Sequence, residues 1–296
     1  MDLKQLEYFV CVAELGSFTR ASLQLDIAQP ALSRQVRQLE IELKRSLLVR
    51  NGRGASVTEA GQLLLDHARG ILHQVARAKE DFGRTEAELA GRVVVGMPPT
   101  LARRLALGLT RHVRSAYPKA SLGIVEGFSV SLQDALTQGR VDLALLYNPR
   151  PAAGVEVTTL AEEPLCLVSA PDPSQARAKI TLRDLCKLPL VIPSRPNAFR
   201  MVLEHAMARQ GHRANIVVEI DAVNAILALV KDGVGHALLP ASAVQGRAER
   251  ARWLVRQVAA DSMTVQLCMA SSAVRPMTRT QRAVQDWIMG HLRKAF

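Results

Sequence analysis

The sequence predicts an N-terminal winged helix-turn-helix, a long linker helix, and a C-terminal α/β domain in two lobes. Three observations carry this expectation. Residues 17–57 hold two short helical patterns followed by a basic, glycine-rich tip. Residues 58–90 keep a single apolar stripe at helical spacing. From Gly91 onward, short apolar runs alternate with helical segments, which is the rhythm of an α/β domain.

Residues 3–15 predict a first helix with Leu6, Phe9, Val10 and Ala13 facing inward. Gly16 can end it, and Ser17 is a good cap for a second helix whose packing face is Phe18, Ala21, Ser22 and Leu25. After Leu25-Asp26-Ile27 a third helix opens at Gln29-Pro30, where a proline fits because its missing N–H would be unpaired in the first turn. Leu32, Val36, Leu39 and Leu43 recur at helical spacing as one apolar stripe. Gln29, Ser33 and Arg37 form a different stripe, with Arg34 beside it. A helix packed on one side and carrying Gln, Ser and Arg on the other has the width and the donors to enter a DNA major groove. The segment Arg50-Asn51-Gly52-Arg53-Gly54 then reads as a hairpin wing near phosphates. Lys44 stands where a helix-ending glycine would be easier, so a slightly strained connection to Leu47-Leu48-Val49 is expected.

Thr58 caps the linker helix, with Glu59 in its first turn. Leu64, Ala68, Ile71, Val75, Ala78 and Phe82 follow at alternating spacings of four and three, the pattern of a coiled coil or antiparallel helix pair. Packing onto the helix's own domain is the alternative, but pairing with a second subunit suits a DNA reader better. Two copies place two recognition helices roughly 34–36 Å apart on one face of the duplex.

In the α/β region, strands are expected at 93–95, 122–125, 141–146, 165–168, 190–192, 216–220, 237–239 and 265–269. Helices are expected near 100–116, 130–138, 197–210, 222–231 and 277–294. Crossings near 161 and 264 divide this region into a first lobe, 91–160 and 266–296, and a second lobe, 161–265, with a cleft between them.

Composition narrows the function classes. The chain has 296 residues, of which 48% are hydrophobic, and it contains no apolar stretch long enough for a membrane span. Its start, MDLKQLEYFV, is not a secretory signal. The four cysteines, Cys11, Cys166, Cys186 and Cys268, are scattered and have no metal-ligand spacing, which fits a reducing cytoplasm. No cofactor is expected, because Gly233-Val234-Gly235 lacks the context of a phosphate-binding loop and no nucleophile elbow is present. The net charge of +11 arises wholly after residue 90, since residues 1–90 carry 12 basic and 12 acidic side chains. The local signal is sharper: residues 28–57 hold six basic side chains against two acidic. The C-terminal excess suits anionic ligands or diffuse DNA attraction, and equally a solvated surface.

Residues 1–90 resemble the DNA-binding end of a LysR-type transcriptional regulator in LEYFVCVAELGSFTRAS, AQPALSRQVRQLEIEL, LLVRNGRG and VTEAG. The remainder is similar to that family's two-lobed, periplasmic-binding-protein-like effector domain in GRVVVGMPP, YP, GRVDLAL and VKDGVGHALLP. IAQPALS, LLVR and LVIPS most resemble the nitrogen-assimilation-control subgroup. The resemblance implies a sequence-specific regulator of double-stranded DNA, a homodimer or homotetramer, a contact with RNA polymerase, and control by a small anionic metabolite. Ligand-independent control by expression level is an alternative, because some members of the subgroup act without a coinducer. A small-molecule-binding protein without DNA function is another, and the attached helix-turn-helix weighs against it.

Carried onto this chain, the resemblance assigns Gln29, Pro30, Ser33 and Arg34 to bases and backbone, and Arg37, Arg50 and Arg53 to phosphate or minor-groove contacts. In the effector domain the family-like positions are Pro99, Thr100, Phe128, Ser129, Ser194, Arg195 and Asn224. Free N–H groups at the start of the helix after Pro99 are expected to help hold an anion. Several of these residues also read as simple caps, surface groups or core. The chain lacks the family's usual Gly near Lys44 and Phe near Leu48, which bears on wing angle.

Overall fold

The computed structural model describes residues 1–51, 54–82, 89–171, 179–244, 252–260 and 262–293; the side chains of Arg50, Asn51, Arg77, Glu80, Asp81 and Phe82 lie outside that description. The chain forms two units, 1–88 together with 138–140, and 89–137 together with 141–296.

In the first unit, α1 (Leu3–Leu15) begins with a reciprocal cap: Gln5 N donates to Asp2 Oδ1 at 2.8 Å and Asp2 N donates to Gln5 Oε1 at 3.0 Å. Gly16, in the left-handed region, ends it. Ser17 caps α2 (Phe18–Gln24), and α3 follows at Gln29–Leu43. The stripe from the sequence is the packing face: Leu32, Val36 and Leu39 of α3 are buried with Phe9 and Val12 of α1 and with Leu47. Each such side chain contributes roughly 1.5–3 kcal/mol on leaving water, so this small core fixes the angle of α3. Lys44 ends α3 at φ 53 and ψ 35, a left-handed conformation that disfavours any residue with a Cβ. The expected strain is therefore present. Strands β1 (Leu48–Asn51) and β2 (Gly54–Val57) form the antiparallel wing. Thr58 Oγ1 accepts from Gly61 N at 2.9 Å and starts α4 (Glu59–Phe82).

The second unit opens with β3 (Ala90–Met97), α5 (Pro99–Ala116), β4 (Lys119–Glu126), α6 (Ser129–Thr137) and β5 (Leu143–Tyr147). The long strand β6 (Val155–Ser169) comes next, then β7 (Lys179–Ile180), α7 (Leu182–Leu185), β8 (Leu190–Ile192), α8 (Ala198–Ala208) and β9 (Ile216–Glu219). Helix α9 (Val223–Lys231), β10 (Ala237–Pro240), a 3-10 turn (Ala241–Val244), β11 (Leu254–Val258), β12 (Thr264–Ser272) and α10 (Arg279–Arg293) complete it.

The main sheet runs β4-β3-β5-β12-β6-β11-β7, with β10 also on β6, while β8 and β9 pair separately. Strand β6 belongs to both lobes. Its residues 155–164 pair with β12, and from Leu165 it pairs with β10 and β11. The last strand and helix return to the first lobe: β12 pairs with β5, and α10 packs on α5 and β3. Thr280 Oγ1 of α10 donates to Ala90 O at 2.7 Å, and Trp287 stacks on His112 of α5.

Candidate DNA-reading face and inter-lobe cleft

On α3, Gln29, Pro30, Arg34 and Arg37 are exposed and Ser33 is half-buried, on the side away from the core. Ala28 supplies no capping side chain, so the positive end of α3 is left for an outside acceptor such as a phosphate. The wing is tied to this helix and to the turn before it. Glu40 Oε1 accepts from Leu47 N at 2.8 Å and Leu48 N at 3.1 Å, and Ala55 N donates to Gly16 O at 2.9 Å. Glu40 thus does locally what a less constrained turn would not: it holds the strand after Lys44 at a fixed angle to α3. Arg53 and the side chain of Arg50 lie outside the described residues.

Helix α4 has some of its apolar residues buried and others exposed. Leu65 is buried in the cluster of Phe9, Leu39 and Leu47, Leu64 packs partly on that cluster, and Ala68 is fully buried. Ile71 is 38% exposed and Leu63, outside the stripe expected from sequence, is 65% exposed. Val75 is half-buried, and the Phe82 side chain lies outside the description. Ala68 therefore has no surface to offer a partner.

Between the lobes lie two cavities that share Ser129, Tyr147, Asn197 and Ala198. The inner one, about 20 Å³, is walled by Pro99, Thr100 and Phe128 of the first lobe and by Phe199 and Val223 of the second. The outer one, about 410 Å³, reaches Gln133, Arg150, Met201 and His205. Ser129 Oγ accepts from Tyr147 N at 2.8 Å, which orients its own proton for donation. Thr100 is 5% exposed, and its Oγ1 lies beside the Tyr147 phenol without a partner at full hydrogen-bonding geometry among the described residues.

The N–H groups expected to be free at the start of α5 are largely taken. Pro98 and Pro99 have no N–H, and Leu101 N and Ala102 N both turn back to Pro98 O at 2.9 Å. At α8, the Asn197 side chain accepts from Phe199 N and Arg200 N. Ser194, Arg195 and Asn224 line neither cavity. Ser194 donates to the Asp221 carboxylate through both N and Oγ, Arg195 pairs with Glu204 at 2.9 Å, and Asn224 is exposed. The basic groups at the cleft are instead Arg150 and His205, one from each lobe. Buried Gln133 pins the Arg150 main chain, donating to its carbonyl at 2.6 Å and accepting from its N–H at 3.2 Å. Neither residue was singled out from sequence. The usable signal was position, in the loop after β5 and in the last turn of α8.

At the floor of the cleft, Tyr147 O–H donates to Glu163 Oε1 at 3.1 Å, and the Ser242 hydroxyl donates to Glu163 Oε2. Burial raises the Glu163 pKa, while the Ser242 and Tyr147 bonds and nearby Arg104 pull it partly back. Burial also pushes the Tyr147 phenol far up, the Glu163 carboxylate adding to the rise and the Ser242 and Thr100 hydroxyls opposing it. Phe199 meets the Tyr147 ring edge-on at 5.0 Å.

Residues 3–62 match the bacterial regulatory helix-turn-helix protein family model of lysR type, and residues 86–293 match the LysR substrate binding domain. The chain belongs to the LysR family. It is 33% identical to the nitrogen assimilation regulatory protein nac of Klebsiella aerogenes, over 98% of this chain and 94% of that one. Among solved structures it is similar to full-length CbnR complexed with its target DNA, at TM-score 0.70 and 22% identity over 100% of both chains. HinK, a LysR family regulator from Pseudomonas aeruginosa, is 26% identical over 100% of both chains at TM-score 0.61. This LysR-family member is a DNA-binding transcriptional regulator, as its families and relatives are, and not an enzyme. No helix among its described residues is long and apolar enough to cross a membrane.

Proposed function

We propose that residues 1–57 read double-stranded DNA, that residues 58–90 pair two subunits, and that residues 91–296 sense a small molecule in the cleft. The exposed face of α3 carries the first part. Gln29 can pair bidentately with adenine, donating to N7 and accepting from N6, Arg34 can donate two bonds to guanine, Ser33 offers a small donor, Pro30 fixes the helix start, and Arg37, Arg50 and Arg53 supply phosphate contacts. Leu63, Ile71 and Val75 are the seam of a homodimer, which doubles again to a homotetramer. A cytoplasmic location and a contact with RNA polymerase complete this reading.

The ligand is a small anion with an apolar body. Its polar end meets the buried Thr100 hydroxyl and Ser129, and Pro99 and Phe128 wall it. Its anionic group faces Arg150 and His205, with no acidic side chain among the described residues that line either cavity. A thermal-shift screen of carboxylates and phosphate esters tests this, repeated on Thr100→Val and Arg150→Gln. Hits that stabilise the unaltered protein and lose their effect in both variants support the site. Hits that stabilise all three equally, or a screen without hits, favour regulation by expression level alone.

A further inference from the structure

Glu163 lies on β6, which runs through both lobes, two residues before the strand changes partners at Leu165. It is 2% exposed, which is unusual for a carboxylate that forms no ion pair at contact distance among the described residues. Its two oxygens are divided between the lobes: Oε1 accepts from Tyr147 at the end of β5, and Oε2 accepts from Ser242 in the turn after β10. Tyr147 also walls both cavities and touches Phe199 of α8. A side chain that lines the ligand space is therefore hydrogen-bonded to the pivot of the two lobes.

We propose that Glu163 is the positioning residue that couples the cleft to lobe arrangement: Tyr147 reports what occupies the cleft, and Ser242 carries the change into the second lobe. The chemistry explains why a carboxylate is used. An ionised carboxylate accepts both hydroxyl protons at once, so a shift of Tyr147 changes the hold on Ser242 through a shared group. An amide offers one acceptor oxygen, and a protonated carboxyl must itself donate, so either breaks the symmetric hold. The titratable and charged groups facing Glu163 are Tyr147 on β5, Arg104 on α5 and Cys166 on β6 itself. Of these, Glu163 is the one carboxyl group, and burial raises its pKa.

The role in signalling rests on the ligand reading above, but the coupling itself is measurable without any ligand. Spin labels at the exposed positions Leu107 of the first lobe and Val217 of the second, in a full-length chain with Cys186→Ser, report inter-lobe distance by pulsed electron resonance. Glu163→Gln, Tyr147→Phe and Ser242→Ala should each shift or broaden that distance, with folding verified by circular dichroism. The parent protein should move toward the Glu163→Gln distribution as pH falls through the Glu163 titration, while the Gln variant stays flat. A role confined to packing does not produce that pH dependence. DNA affinity should change roughly fivefold or more, the size of a typical allosteric coupling. Parent-like distances at every pH in the two milder variants, Tyr147→Phe and Ser242→Ala, overturn the proposal even if Glu163→Gln fails to fold. A shifted distance in a protein that binds no metabolite retains the coupling and removes only the ligand reading.

Discussion

The main-chain N–H of Ala55 donates to the carbonyl oxygen of Gly16 at 2.9 Å, so the wing is docked on the turn between α1 and α2. That docking dictates Gly54. Its φ is 142, and a Cβ there would lie 2.3 Å from Gly16 O. Gly54→Ala should destabilise the first unit by about 1–3 kcal/mol from backbone strain alone, before the clash is relieved. Thermal unfolding and gel-shift titration check this; DNA affinity should fall while metabolite-induced stabilisation of the second unit is retained.

The buried and exposed apolar residues of α4 separate in mutants. Leu63→Asp and Ile71→Asp place a charge on the exposed seam and should shift light-scattering mass toward monomer with little change in monomer folding. Ala68→Asp buries an unpaired charge within the chain's own core, at a penalty of several kcal/mol, and should lower the melting temperature at every protein concentration. Identical behaviour of all three would contradict the division.

Thr100→Val should trade function against stability. It removes a buried hydroxyl without a partner at full hydrogen-bonding geometry among the described residues and keeps the shape, so the ligand-free protein should gain roughly 1 kcal/mol in denaturant unfolding. Ligand-induced stabilisation should be lost in the same variant. An unchanged or lowered stability would show that the hydroxyl is satisfied in solution.

The Glu163 shift has a definite sign in stability. Its folded-state pKa is raised by burial, so the native state holds the proton more tightly than the unfolded chain. The associated stability is fully present below the unfolded-state pKa and is lost as pH rises through the folded-state pKa. Chemical denaturation of the parent protein across pH should show this loss as pH rises through the folded-state pKa of Glu163. Glu163→Gln should remove that component of the slope, and an unchanged slope would assign it elsewhere.

Much of the first unit was legible because its signals are local. The stripe Leu32, Val36, Leu39 and the caps Ser17 and Thr58 each act within a few residues of themselves. Ala68 misled because a heptad-like stripe records which residues are apolar, not whether the covering surface belongs to the same chain. In the second unit, buried strands such as β5 and β10 announced themselves as apolar runs. The first ten residues of β6 did not, being half exposed and rich in Glu and Thr, and their pairing with β12 makes them a strand. Arg150, His205 and the Tyr147–Glu163–Ser242 group were invisible for a related reason: their partners lie in other elements, brought close by topology rather than spacing.

The central claim is that α3 reads a sequence, and selection of genomic fragments by the purified full-length protein tests it most directly. The unaltered chain should enrich one motif with two related half-sites about one helical turn apart. Gln29→Ala and Arg34→Ala should lose preference within each half-site while keeping salt-dependent, non-specific affinity. A folded protein that enriches no motif, or variants that enrich the same motif as strongly as the parent, would contradict the account.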